Sequence, residues 1–223
     1  MMMNNIENLY FSFKKYIPKN IEILAVSKNQ NISSIEKLYQ IGHRDFGENY
    51  VQEIIKKYNF LPKDIRWHMI GKIQSNKIKY LIPFIYLIHS VQKMEHIIMI
   101  NKLARKEKKI INCLLQIKIS DEKNKSGITN KEADKILESN TYKRMKNVNI
   151  IGIMGMASFS NSSKKIHDEF SSLQKLYNNY KNKYGHYVLS MGMSRDYSIA
   201  IKYGSTLIRI GTSIFGNRKK ISI

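Results

Sequence analysis

The chain has 223 residues, with 38 Lys and Arg against 17 Asp and Glu, a formal net charge of +21, 43% hydrophobic residues and one cysteine. A lone thiol, Cys113, excludes a disulfide scaffold and fits a reducing compartment, so residence in the cytoplasm is expected. No apolar run is long enough to span a membrane, and the amino terminus, MMMNNIENLYFSFKKY, lacks a secretory pattern, which predicts a soluble protein without a membrane partner.

This length can bury one substantial core and predicts a single domain over residues 1–223. The charge reads as a solvated coat. Only seven of the basic residues are arginine, the composition is also rich in Asn, Ile and Tyr, and the lysines are scattered along the chain. A compositional bias accounts for that pattern, and a high pI by itself is only a first indicator of nucleic-acid binding, so no specific nucleic-acid partner is expected. The densest cluster, 101–110, reads as the exposed face and end of a helix.

Short apolar runs alternate with longer amphipathic ones. After a helix predicted over 4–16, the run 21–28 (IEILAVSK) precedes helical spacing over 35–41. The same grammar recurs as 44–49 then 51–58, 66–71 then 74–81, 86–92 then 94–107, and 111–120 then 131–139. Three further units follow: 149–158 with a long polar helix over 162–182, 187–193 with 196–203, and a closing run over 206–215. Nearly continuous apolar strands separated by helices imply parallel strands covered on their faces. Eight of them predict an α/β fold, a closed (β/α)8 barrel with an extra amino-terminal helix over one end. Pro18, Pro62 and Pro83 all fall outside the predicted helices, and 158–165 reads as a loop ending in a Ser or Asn N-cap.

Chemistry in such a barrel gathers at the carboxyl ends of the strands. Those ends carry Ser27-Lys28, Gly47-Glu48-Asn49, His68 with Gly71, Ser90, Ser120 with Lys125-Ser126-Gly127, Ser190 through Ser194, and Arg209 through Thr212. Glycines and hydroxyls at the last two strand ends are the makings of a phosphate site. Lys28 shares the face of Leu24 and Val26. If that face is the interior, a desolvated amine there can form a Schiff base with a carbonyl, whereas a lysine at a strand terminus can also simply reach for water. Arg209 shares a face with Gly211 and needs an acceptor, either an acid such as Glu48 or a ring nitrogen or carboxylate of a ligand. His68 reads more readily as a hydrogen-bonded core residue than as a catalyst, Cys113 as a small buried hydrophobe, and the six histidines lack metal-ligand spacing.

Six blocks in order, AVSK (25–28), DFGENYVQE (45–53), WHMIGKIQSNK (67–77), LLQIKISDEKNKSGI (114–128), LSMGMSRD (189–196) and STLIRIGTSIFGNR (205–218), resemble the pyridoxal phosphate homeostasis proteins. The resemblance implies a barrel similar to the amino-terminal domain of alanine racemase, binding pyridoxal 5′-phosphate (PLP) without established turnover. It makes Lys28 the Schiff-base lysine and assigns the phosphate to Ser194, Gly211 and Thr212, with Met191 and Gly192 along that wall. Arg209 would face the pyridine nitrogen, and Asn49 and His68 would lie near the ring and its 3-hydroxyl. An arginine there disfavours protonation of the nitrogen and weakens the ring as an electron sink.

Two places depart from the family's pattern. A second lysine and a proline that often follow the Schiff-base lysine are replaced by Asn29-Gln30-Asn31, and the region GIMGMASF (152–159) lacks a common proline. The expected role is buffering or carriage of PLP, with PLP-requiring apoenzymes as the partners and a monomer or weak dimer as the assembly. The alternative is a PLP-dependent amino-acid racemase or lyase. The chain's end at Ile223, shortly after the eighth strand, argues for the carrier, because similar racemases bring a catalytic tyrosine from a second domain.

Overall fold

The computed structural model describes residues 6–122 and 126–216; Lys125, Arg218 and the start of the first predicted helix lie outside the described residues. Helix α1 (Ile6–Lys14) precedes β1 (Glu22–Val26), α2 (Ile32–Gln40), β2 (Asp45–Glu48), α3 (Val51–Phe60) and β3 (Arg66–Met69). A 3-10 helix over Ser75–Tyr80 leads to β4 (Ile85–Val91), α4 (Met94–Lys106), β5 (Ile111–Ile117), α5 (Asn130–Glu138) and the short α6 (Asn140–Lys143). The series closes with β6 (Val148–Gly155), α7 (Ser163–Tyr184), β7 (Val188–Met193), α8 (Tyr197–Lys202), β8 (Leu207–Ile210) and α9 (Thr212–Phe215). The strands pair in sequence order, all parallel, and β8 returns to β1 to close the barrel.

Local chemistry sets the helix ends. Asn31 accepts from the Ser34 N–H at the start of α2, Thr129 and Glu132 form a reciprocal capping box on α5, and Ser162 accepts from Lys165 on α7. Gly185 ends α7 with φ +71°, where a residue with a Cβ is disfavoured. Three expectations change. The helix over 74–81 is a 3-10 turn, with Pro83 barring its continuation. The run over 206–215 is strand only to Ile210, and from Gly211 the backbone turns into α9. Helix α1 packs against α2 and α9, its Tyr10 and Phe13 joining the apolar layer under the helices, so it stands in the helical belt instead of over one end.

The apolar core has two parts. The larger lies between strands and helices and includes Phe46, Trp67, Phe170 and Tyr180; the smaller fills the lumen with Leu24, Leu87, Leu114, Ile151, Met154, Val188 and Leu207. Strand β6 meets β7 at Gly152 opposite Val188. A Cβ on Gly152 would come within 1.8 Å of the Val188 carbonyl oxygen, which belongs to the backbone and cannot step aside. Gly152→Ala is therefore expected to destabilise the barrel by about 3 kcal/mol, read as a lower urea midpoint with an unchanged slope.

Candidate functional site

The carboxyl ends of the strands surround a cavity of about 490 Å³, lined by Val26 and Lys28 of the β1 end, Asn49, Ile70, Gly71, Met154, Met193, Ser194, Arg209, Gly211 and Thr212 among others. That volume lies in the range of small-molecule sites.

Lys28 enters the cavity because strand alternation turns Leu24, Val26 and Lys28 inward and leaves Ala25 and Ser27 facing the helices. Beyond the end of β1 the chain turns at Asn29, held at φ +61°. Helix α3 fixes this corner from outside the barrel. The Lys57 ammonium donates to the Ser27 carbonyl at 2.7 Å, to Glu48 Oε1 at 2.8 Å and to Glu53 Oε1 at 2.7 Å, and the Asn29 N–H donates to Glu53 Oε1 at 2.7 Å. The Ser27 hydroxyl donates to the same Glu48 oxygen at 2.6 Å. Glu48 thus pairs with Lys57 on the outer face of the wall, and of the two partners considered for Arg209 the acid Glu48 is not the one it meets.

Arg209, buried at the cavity floor, takes neutral acceptors instead. Nη1 donates to the Ser190 carbonyl at 2.8 Å and to Ser190 Oγ at 2.7 Å, and Nη2 donates to the Gly155 carbonyl at 2.9 Å. Burial pushes its pKa down to about 10, which leaves the guanidinium charged at neutral pH.

Beside the β1 end, where β8 runs out, the Gly211 N–H donates to Ser194 Oγ at 3.4 Å, and Thr212 opens α9. The Met193 N–H donates to Asp196 Oδ1 at 2.6 Å, pinning the turn that carries Ser194 and Arg195. Burial raises the Asp196 pKa, while the Met193 N–H and the charge of Arg209 oppose that rise. At the rim, the Arg195 guanidinium lies 3.7 Å from the ring centroid of Phe159, which is 78% exposed.

Six of the nine residues expected at the site line this cavity: Lys28, Asn49, Ser194, Arg209, Gly211 and Thr212. Three do not. His68 lies deeper in the lumen, fully buried, its ring bonded to His89 and Asp45; the residue of that segment at cavity level is Ile70, two positions on. Met191 is buried in the belt under the helices, and Gly192 turns toward α8, where a Cβ would meet Ala200 Cβ at 2.6 Å. The β7–β8 register shifts between Ser190 and Met193, and Gly192 sits in that irregularity at φ +93°. The shift puts Met193 at the cavity and leaves Met191 outside.

Two features were not anticipated from the sequence. Gln92 donates to Gln116 Oε1 at 2.9 Å and Gln116 to the Ser126 carbonyl at 2.9 Å, which lines one side of the cavity with amides. A Cβ on Gly71 would fall 2.1 Å from the Asn49 carbonyl oxygen, so only glycine lets the loops after β2 and β3 meet, and the Ser90 hydroxyl bonds the Gly71 carbonyl behind them.

The profile of the alanine racemase amino-terminal domain family matches residues 3–219. The pyridoxal phosphate homeostasis protein of Schizosaccharomyces pombe is 37% identical over 205 residues, covering 90% of this chain and 85% of its own, and that of Escherichia coli K12 is 34% identical over 206 residues, covering 90% and 87%. The chain belongs to the pyridoxal phosphate homeostasis protein family. Among solved structures, PipY of Synechococcus elongatus with PLP bound superposes with a TM-score of 0.85 at 29% identity, covering 95% of this chain and all of that one. An alanine racemase of Clostridium difficile shares the barrel, with a TM-score of 0.81 at 13% identity over 99% of this chain and 59% of its own. No described helix is long and apolar enough to cross a membrane.

Proposed function

We propose that this chain binds PLP in the cavity at the strand ends and serves intracellular PLP homeostasis as a buffer or carrier. The observation that carries the reading is the convergence of an amine, a buried guanidinium and a hydroxyl-lined turn on one cavity. Lys28, Arg209 and the Ser194–Gly211–Thr212 corner match in kind an aldehyde, a ring nitrogen and a phosphate. PLP supplies an aldehyde that a lysine amine can hold covalently and reversibly.

The chain's own residues do the rest. Lys57 and Glu53 hold the strand end that presents Lys28. Arg209 would face the ring nitrogen, and its positive charge would disfavour protonation there, a setting suited to holding the cofactor more than to carbanion chemistry. Asn49 would lie beside the ring. His68 has no direct contact in this reading, because Ile70 occupies its level of the wall. The lone buried Cys113 fits a cytoplasmic protein, and the same reading includes transfer of PLP to apoenzymes by a monomer or weak dimer without turnover.

Purified protein incubated with PLP is expected to show a visible absorbance band that borohydride traps covalently on Lys28. In Lys28→Ala the trapped adduct is expected to disappear completely. A wild type with no such band would reassign the cavity to another phosphorylated ligand, and racemisation or elimination of an amino acid by the loaded protein would replace the carrier with an enzyme.

A further inference from the structure

Beneath the cavity, five polar side chains run through the lumen in single file. Asp45 stands at the start of β2, its side chain 15% exposed, where β3 supplies Arg66 as an ion-pair partner. Asp45 Oδ1 lies 3.2 Å from His68 Nε2, His68 Nδ1 lies 2.9 Å from His89 Nε2, and His89 Nδ1 lies 3.2 Å from Ser190 Oγ. Ser190 Oγ in turn receives Arg209 Nη1 at 2.7 Å. The two imidazoles and Ser190 are completely buried.

With both imidazoles neutral, the chemistry of the two ends sets the order of protons between them. Arg209 can only donate, so Ser190 Oγ accepts from it and has its own proton to give to His89 Nδ1. A bare Nδ1 puts the His89 proton on Nε2, where it points at His68 Nδ1. His68 then carries its proton on Nε2, facing the Asp45 carboxylate. Every donor along the file points from the cation to the anion, and such chains strengthen one another. Burial holds the His89 pKa well below its usual value, and the charge of Arg209 acts in the same direction, consistent with a neutral ring. Burial pushes the Asp45 carboxyl up, but hydrogen bonds from His68 and Arg66 outweigh it and hold the group well below the usual carboxylate range.

We propose that Asp45, His68, His89 and Ser190 are positioning residues, a one-way hydrogen-bond chain that locks Arg209 at the cavity floor and links its surroundings to the amino-terminal face of the barrel. Around Asp45 the charged and titratable groups are His68 and Arg66 of β3, Tyr86 of β4, Glu22 of β1, His43 ahead of β2 and Tyr10 of α1. None of these side chains lines the cavity, and among them the file through His68 is the one that hydrogen bonds carry on to Arg209. The effect on bound PLP rests on the reading of Arg209 given above; the proton order itself does not.

The test is long-range 15N–1H NMR of histidine-labelled, ligand-free protein, which separates rings protonated on Nε2 from rings protonated on Nδ1. Both His68 and His89 are expected as Nε2–H; either ring protonated on Nδ1 overturns the chain. In Asp45→Asn the terminal acceptor is weakened, and the ring-nitrogen shifts of His89, which does not touch Asp45, are expected to move together with those of His68. His89 shifts unchanged in folded Asp45→Asn would overturn the linkage. Ser190→Ala provides the same comparison from the upper end should Asp45→Asn fail to fold: loss of the hydroxyl donor is expected to mix the His89 tautomers, and an undisturbed His89 overturns the chain.

With PLP added, the pH midpoint of the visible band is expected to shift by about one unit in Ser190→Ala, the size of one hydrogen bond to a charged group. An unmoved midpoint overturns the link to the cavity. A wild type that shows the expected tautomers but no PLP band would sink the functional reading and leave the chain standing. A wild type with the band and the wrong tautomers would do the reverse.

Discussion

Lys57→Met is expected to destabilise the barrel by about 3–5 kcal/mol, because it strips a cation from two acids and a carbonyl at once. Lys57 and Glu48 have side-chain exposures of 5% and 0%, and Glu48 Oε2 has no hydrogen-bond partner among the described residues. Removing the ammonium leaves Glu48 buried without its counter-ion, and water cannot readily replace it.

The loss depends on pH in a definite direction. Burial already raises the Glu48 pKa from its ordinary 4.5 to about 7 against the opposing pull of Lys57, so in the wild type the folded state holds its proton more tightly than the unfolded chain. Stability from this group is greatest below 4.5, falls as pH rises toward about 7 and is flat above. Without Lys57 the folded pKa climbs further, so the deficit of Lys57→Met is expected to be smaller at acid pH than at mildly alkaline pH. Urea unfolding at the two pH values checks this. Equal deficits would mean that Glu48 does not titrate in this range, and no deficit at either pH would show that the cluster contributes little.

Ser194→Asp is expected to weaken PLP binding about 100-fold or more, close to 2.7 kcal/mol. Ser194 Oγ sits against the Gly211 N–H at the corner assigned to the phosphate. A carboxylate placed there faces the ligand's anionic group and also takes over the N–H it would use; like charges so juxtaposed cost several kcal/mol. Absorbance titration of the apo-protein measures the change. The thermal midpoint is expected to stay near that of wild type, since Ser194 stands at a cavity wall, outside the apolar core. Unchanged affinity would move the phosphate to another part of the cavity.

Lys28 is legible in the sequence because an amine interrupts an apolar alternation, and alternation states which face a residue takes. It does not state the level. His68 and Ile70 share a face of the barrel, and only the stagger of a closed sheet decides that Ile70 reaches the cavity while His68 stays below it. Met191 shows the second limit. It and Met193 have the same parity, and the register shift at Gly192 separates them, an event visible in pairing and not in composition.

Asp45 and His89 escape notice for a related reason: each is unremarkable in its own strand, and its meaning comes from His68, 23 and 21 positions away respectively. By contrast, the Glu53–Lys57 pair carried a readable signal, an acid four residues before a base on one helix. It points to the helix behind Lys28, although not to the Ser27 carbonyl it secures.

Cys113 has a practical use. The thiol is fully buried in the barrel wall, and burial alone raises its pKa far above the ordinary value, so it offers almost no nucleophilic thiolate to a reagent. The natural sequence is therefore already a background for single-site labelling. A cysteine introduced at Phe159, on the exposed rim opposite Arg195, would take a maleimide dye while Cys113 stays silent. Its emission would then follow cofactor entering and leaving in real time.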